Sequence, residues 1–314
     1  MAVINPINVR ADDLRYLLAV ARSGSMVTAA KALGVDHTTV ARRIRVLEKS
    51  LGHRLLDRGS EGWELTSIGR RVVDTSRPVD NIIAEVVNVV SSDGDDALHG
   101  TVRVNAPDGF EVAFVVPAMQ KVRVLHPHLH IELLTAARPL SLRGSGFDIA
   151  ITIGTPTGSR LVSEELTVYS MRLYATRDYL DSHSPIVTAE SLKQHALVFY
   201  IDSMQSIDDL DLGRYFSEME MAISSTNVLA QVAATQAGAG IGLLPAFLGE
   251  PLPDLVPVLP DVFDFRLNFS LSARRESVGL ASTRAIRASL MKEVRERHLE
   301  LLPAVVGRVG SVAR

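Results

Sequence analysis

The strongest constraint on this chain is angular. At about 100° per residue on a helix, Val40, Ile44, Leu47 and Leu51 form one stripe that has to be buried, while Thr38, Arg42, Arg45 and Lys49 lie opposite with Arg43 at their flank. A surface helix commonly opposes an apolar and a polar face, so the charges alone would read as solvation. The neighbouring elements say more. Leu14, Leu17, Leu18 and Ala21 predict a first amphipathic helix opened by Asp12 and Asp13, where acids suit the positive helix end. Gly24 ends it, Ser25 can cap the next helix, and Met26, Ala29, Ala30 and Leu33 form a short helix of small residues that admits close packing. Gly34 supplies a turn and Asp36 can cap the third helix. Two helices joined by a short glycine-containing turn, the second one basic, is the geometry of a major-groove reader.

The candidate DNA contacts follow from that placement. His37, Thr38 and Thr39 open the reading helix, where residues reach base edges, and Arg42, Arg43, Arg45 and Lys49 continue it. Ser25 joins them from the entry of the preceding helix. Gly59 and Gly62 suit a hairpin turn between two short strands, a wing, and Arg54 and Arg58 can hold phosphates beside it. Trp63, the single tryptophan, is read as packing the wing onto the helices rather than stacking on a base.

Residues 14–69 resemble the N-terminal domain of LysR-type transcriptional regulators. The residues that carry this are Gly24, Ser25, Ala29, Ala30, Val35, Val40, Arg42, Ile44, Leu47, Glu48, Leu51, Gly52, Leu55, Leu56, Asp57, Arg58, Leu65, Thr66 and Gly69. Where many members have Ser-Gln-Pro before the reading helix and Ser ahead of the Arg, this chain has Asp36-His37-Thr38 and Ala41, a departure that bears on base preference. The resemblance implies a winged helix-turn-helix, a linker helix, and a two-subdomain α/β effector-binding domain of the periplasmic-binding-protein type. The expected divisions are 1–66 for the DNA-binding module and 67–97 for the linker helix and hinge. The effector domain takes 98–302 (subdomain I about 98–169 and 272–302, subdomain II about 170–271), and 303–314 is a tail. The implied partners are double-stranded DNA with dyad symmetry, a small-molecule effector, and further copies of the chain as a homodimer or homotetramer.

Composition agrees. The net charge of −3 is unevenly placed: 13 Lys and Arg against 10 Asp and Glu up to residue 90 give +3, which leaves −6 for the rest. A basic module on an acidic body fits specific DNA binding assisted by phosphate contacts. The absence of cysteine excludes disulfides and thiolate metal sites, and a reducing cytoplasm is the expected location. No signal pattern or membrane-spanning apolar run is visible, so no membrane partner is expected.

After Thr66, Val72, Ser76, Val79, Ile83, Val86 and Val90 alternate spacings of four and three, a short heptad seam. It is either a stripe against the chain's own domain or, as the resemblance implies, a dimerisation helix. Pro78 inside it should kink or interrupt the helix, and residues 93–100 read as a hinge. The remainder alternates strands and helices, which predicts parallel α/β sheets. Strands are expected at 101–105, 129–134, 147–153, 197–201 and 266–273, and helices at 110–125, 228–237 and 282–301. The resemblance adds a crossover near 168–171 and a return near 268–273.

In such sheets ligands sit beyond the carboxyl ends of strands, near helix N-termini. That rule selects Ala106, Pro107, Asp108 and Gly109, then Thr135 and Ala136, then Thr152 and Ile153 before Gly154, and Tyr200, Ile201 and Asp202 in the second half. The resemblance adds Thr226, Asn227 and a loop around Gly242. Each of these can equally be a turn or a cap with nothing bound. Many family members place hydroxyls in the first loop to receive a carboxylate effector. An ionised Asp108 there would disfavour an anion, so a neutral, cationic or hydroxyl-bearing effector is expected.

No enzyme emerges. The run 238–242 has the glycines of a nucleotide loop but a helix precedes it and Leu-Leu-Pro follows, and no Gly-x-Ser-x-Gly elbow occurs. His126, His128 and His130 alternate without a spaced acidic partner, so no metal, cofactor or catalytic residue is expected. The competing class is a small-molecule sensor acting through protein contacts without DNA.

Overall fold

The computed structural model describes residues 6–59, 62–91, 97–135, 146–156, 161–201 and 216–304. Ala136, Asp202, part of the wing turn, half of the hinge and the tail beyond 304 lie outside these residues.

The N-terminal module is built as its periodicity requires. Helices α1 (Ala11–Ser23), α2 (Met26–Leu33) and α3 (His37–Leu51) precede a two-stranded wing of β1 (Leu56–Arg58) and β2 (Trp63–Leu65). Val40, Ile44 and Leu47 are buried with Leu17, Leu18, Ala29 and Ala30, and Trp63 packs against this core. Gly24, Gly34 and Gly52 close the three helices in the left-handed conformation, φ +64° to +68°, where other residues are strained. Ser25 accepts from the Thr28 N–H at 3.4 Å and Asp36 from the Thr38 N–H at 2.8 Å, the two expected N-caps.

The wing is fastened to both flanking helices by polar contacts. Glu48 Oε1 accepts from the Leu55 and Leu56 N–H groups at 2.7 and 3.3 Å. The Thr66 hydroxyl donates to the Arg54 carbonyl and accepts from the Gly69 N–H, each at 2.9 Å, and so caps the linker helix α4 (Ser67–Ser91). A Cβ on Gly69 would lie 2.0 Å from the Leu55 carbonyl oxygen, so glycine alone fits there.

Pro78 does not interrupt α4, contrary to expectation. The helix forfeits one backbone bond there, but tertiary contacts hold the part beyond it. Asn81 donates to Asp148 at 3.0 Å, Glu85 accepts from the Ala281 N–H at 3.3 Å, and Asn88 accepts from the His99 N–H at 2.8 Å. The heptad seam divides accordingly. Val72 packs on the chain's own N-terminal core and Ser76 is buried, whereas Ile83, Val86 and Val90 are exposed, together with Ile82, Val87 and Val89.

The C-terminal region is one mixed sheet of nine described strands in the order β4-β3-β5-β11-β6-β9-β7-β8, with β10 (Leu255–Val258) also on β6. Parallel pairing is confined to its two halves. In the first, β3 (Gly100–Ala106) pairs with β4 (Leu129–Thr135) and β5 (Ile149–Ile153); in the second, β7 (Ala196–Phe199) pairs with β8 (Glu220–Ser224) and β9 (Ile241–Pro245). Between them run two long antiparallel strands, β6 (Leu161–Thr176) and β11 (Asp264–Arg274), which are the expected crossover and return. They make one sheet of what the sequence predicts as two. Strands β8, β9 and β10 were not predicted; β9 falls in the glycine-rich run read as a loop, and β8 is exposed throughout and carries no burial alternation to read.

The helix expected at 110–125 begins earlier, as α5 (Asp108–Phe110), passes through a π turn at Glu111–Val115, and continues as α6 (Val116–Leu125). Pro117 sits in the first turn of α6, where the widened turn leaves no donor to be missed. Short helix α7 (Arg177–Ser182) follows β6, and α8 (Val228–Gln236) precedes β9. The last long helix, Ala281–Glu296, packs on α6. Phe110 and Phe114 from the first half, Phe247 from the second, and Tyr169 and Phe269 on the crossing strands form one aromatic cluster, with Phe110–Phe269 and Tyr169–Phe269 centroids 4.3 and 4.2 Å apart. The two halves therefore share a core.

Candidate DNA-binding face and effector cleft

The predicted cationic face of α3 is real but loses one member. Arg42, Arg45 and Lys49 are exposed, and none has an ion-pair partner among the described residues. Arg43 is tied down: it reaches Asp13 at 3.2 Å and Asp12 at 3.8 Å and lies over the Tyr16 ring at 5.8 Å. Asp13 is 1% exposed, so Arg43 neutralises a buried carboxylate and belongs to the α1–α3 joint. The Thr38 hydroxyl donates to Asp36 at 2.6 Å, and these bonds hold the Asp36 carboxyl below its ordinary range. His37 and Thr39 stand beside it on the first turn, His37 3.6 Å from Asp36. Ser25 is engaged as a cap, Arg54 is 3.6 Å from Asp57, and Arg58 is exposed on β1 opposite Trp63 in register.

In the C-terminal domain the carboxyl end of β3 faces the start of α8. Asp108 Oδ2 accepts from the Val228 N–H at 2.9 Å and Oδ1 from the Gly109 N–H at 3.0 Å. Asn227 caps the same helix, its Oδ1 accepting from the Ala230 N–H at 2.9 Å. Close to Asp108 stand Glu111, whose carboxylate accepts from Thr135, and Tyr200. Burial first, then the Asp108 charge, raises the Glu111 carboxyl above its ordinary range, and the same two causes raise the Tyr200 hydroxyl. Thus Pro107, Asp108, Gly109, Thr135, Tyr200, Thr226 and Asn227 come from segments that meet where β3 ends and α8 begins. Glu111 was not predicted, although its i+3 spacing from Asp108 on a helix was the available signal.

Three expectations there need correction. Gly242 lies in buried strand β9 rather than in a loop, and a Cβ on it would stand 2.1 Å from Thr235 Oγ1; its glycine serves the packing of α8 on the sheet. Ala106 is the buried last residue of β3 and offers no side chain to the cleft. Thr152 is buried and its hydroxyl donates to the Gly154 carbonyl at 3.1 Å, closing the turn, while Ile153 and Ile201 are exposed. The histidines diverge: His126 accepts from the Leu98 N–H at 3.3 Å and His128 stacks on His99 at 4.8 Å, leaving His130 3.8 Å from Glu132.

The linker helix meets this domain at Asp148, which is nearly buried. Its Oδ1 accepts from Asn81 and from Ser277 at 3.3 Å, its Oδ2 from the Arg103 N–H at 2.9 Å, and burial pushes its carboxyl up to about 6.

Comparison with known proteins agrees with this two-part organisation. Residues 11–70 match the family model described as bacterial regulatory helix-turn-helix protein, lysR family, and residues 95–295 match the LysR substrate binding domain. An uncharacterized HTH-type transcriptional regulator of Haemophilus influenzae is 25% identical over 248 residues, 76% of this chain and 84% of that one. Among solved structures, ArgP from Mycobacterium tuberculosis superposes with a TM-score of 0.65 at 17% identity, over 93% of this chain and 97% of that one. AphB, the Vibrio cholerae virulence activator, gives 0.53 at 24% identity, over 90% and 99%.

Proposed function

Because this chain belongs to the LysR family of bacterial helix-turn-helix proteins and is a transcriptional regulator, we propose that it reads a dyad-symmetric operator as a homo-oligomer and responds to a small molecule held near Asp108. The observation that carries the DNA part is the face of α3: Arg42, Arg45 and Lys49 stand free of intramolecular partners among the described residues, opposite the buried Val40–Ile44–Leu47 stripe. Cations left unpaired on a helix that follows a tight turn are available for base edges and phosphates. His37, Thr38 and Thr39 enter the groove ahead of them, and Ser25, Arg54 and Arg58 flank the backbone on either side.

The exposed valine and isoleucine face at the end of α4 supports self-association, since such a stripe buries against a second copy in a short coiled coil. The effector is a neutral, cationic or hydroxyl-bearing molecule, because the cleft presents the Asp108 and Glu111 carboxyls. Subdomain movement reaches the reading helices through α4, which is hydrogen-bonded to the effector domain at Asn81, Glu85 and Asn88. An effector acts only by favouring one arrangement over another.

The test is DNase footprinting on the chain's own genomic neighbourhood at two salt concentrations, with competitor DNA, for wild type, Arg42→Ala and Lys49→Ala. The expected result is a protected dyad, an affinity loss of about 1–3 kcal/mol for Arg42→Ala on that site, and a reduced salt slope for Lys49→Ala. Absence of binding at either salt would refute the DNA reading in favour of a sensor that works through protein contacts.

A further inference from the structure

The first turn of α8 is where an α/β cleft would receive an anionic ligand, since free N–H groups and the positive helix end converge there. In this chain two of those donors, on Val228 and Ala230, are engaged by side chains, and the helix's own bonding starts at Gln231. The Val228 N–H is held by Asp108 at 2.9 Å, the Ala230 N–H by Asn227 Oδ1 at 2.9 Å, and the Gln231 N–H by the Asn227 carbonyl at 3.2 Å. Asp108 belongs to the first subdomain and Val228 to the second, so one carboxylate spans the cleft.

The backbone beneath this bond is just as close. A Cβ on Gly109 would lie 2.6 Å from Val228 Cγ1 and 2.8 Å from Leu248 Cδ1, both in the second subdomain. Pro107, at φ −61°, sets the entry to the turn, and Phe110 anchors its exit in the aromatic cluster. Asp108 is therefore held on both sides with its carboxylate aimed at the helix.

We propose that Asp108 is a built-in latch and a specificity determinant: its carboxylate takes the place of a ligand's carboxylate on α8, keeping the two subdomains together without an anionic ligand and rejecting simple carboxylates. This inference rests on the reading of the cleft as the effector site. A second carboxylate would have to displace Asp108 while facing the neighbouring Glu111. A ligand that donates hydrogen bonds can approach without breaking the latch.

The chain has no cysteine, so Val124→Cys and Val187→Cys, both at exposed positions on opposite subdomains, give a clean spin-label pair on the full-length protein. The intersubdomain distance is measured by pulsed electron resonance, and exchange of the Val228–Ala230 amides by mass spectrometry, for wild type, Asp108→Asn and Asp108→Ser. The expected result is a single narrow distance in the wild type and a broader, longer distribution in Asp108→Ser. Amide exchange should be faster by roughly ten- to a hundred-fold, the weight of a charge-assisted hydrogen bond, with Asp108→Asn between. Acetate at 100 mM, as on the order of the weak affinity a lone carboxylate would have, should restore the narrow distance in Asp108→Ser and leave the wild type unchanged. Identical distances and exchange in all three proteins would overturn the latch, and so would acetate acting equally on wild type and variant. Neither readout passes through DNA, so a cleft that never alters operator binding refutes the effector reading separately.

Discussion

Arg42 and Arg43 are adjacent in sequence and of one residue type, yet the structure gives them different work, and replacing each with alanine separates the two. Arg43 stands 3.2 Å from Asp13, whose side chain is 1% exposed. Removing one partner of a fully buried ion pair costs about 3–5 kcal/mol. Arg43 itself is 28% exposed, so water reaches the site and the cost falls to about 2–3 kcal/mol. With a denaturant slope of about 1–2 kcal/mol per molar urea for so small a module, the midpoint should fall by roughly 1–3 M. The assay is built in: Trp63 is the single tryptophan and packs on this core, so its fluorescence follows the unfolding of the N-terminal module alone. Arg42→Ala should leave that midpoint within about 0.5 kcal/mol of wild type while weakening operator binding. An unchanged Trp63 transition in Arg43→Ala together with lost DNA affinity would show that Arg43 faces the groove and that its pairing with Asp13 is incidental.

Further outcomes follow from single contacts. Gly69→Ala drives a Cβ to 2.0 Å from the Leu55 carbonyl oxygen and should destabilise the wing–linker joint by about 2 kcal/mol or more, read from the same fluorescence transition. Asp148, raised to about 6 by burial, binds a proton in the native state that the unfolded chain has released by about pH 4. Stability from this group is therefore present at low pH and lost as pH rises from about 4 to 6, by about 2–3 kcal/mol in all. The difference in urea midpoint between wild type and Asp148→Asn should shift in the variant's favour between pH 4.5 and 7, on the order of that linkage; a constant difference would contradict it. Arg172 is buried beside Glu250 at 2.9 Å and Asp264 at 3.4 Å and donates to the Pro303 carbonyl at 2.6 Å. Arg172→Met leaves Glu250 without an ion-pair partner among the described residues and Asp264 with Arg266 alone at 2.7 Å, and should lower the effector-domain melting free energy by about 2–4 kcal/mol, measured by calorimetry.

Much of the N-terminal module was legible because its determinants are local. The buried stripe of α3, the caps at Ser25 and Asp36 and the terminating Gly24, Gly34 and Gly52 each depend on residues within one or two turns. Sequence by itself also determined the strand–helix alternation, while the crossing strands followed from the family resemblance and the helix that was expected to begin at 110 in fact begins at Asp108. Tertiary structure alone decided which side chains remain free. Arg43 is withdrawn by Asp13, thirty positions away, Pro78 is tolerated because Asp148 and Ala281 grip the helix beyond it, and Gly242 is a packing position because Thr235 lies against it. Asp108 likewise reads as a cleft residue in the sequence, and only the fold brings Val228, 120 positions on, to its carboxylate. Periodicity records which face of an element is buried, whereas the partner of a polar group is set by chain segments whose separation no local pattern encodes.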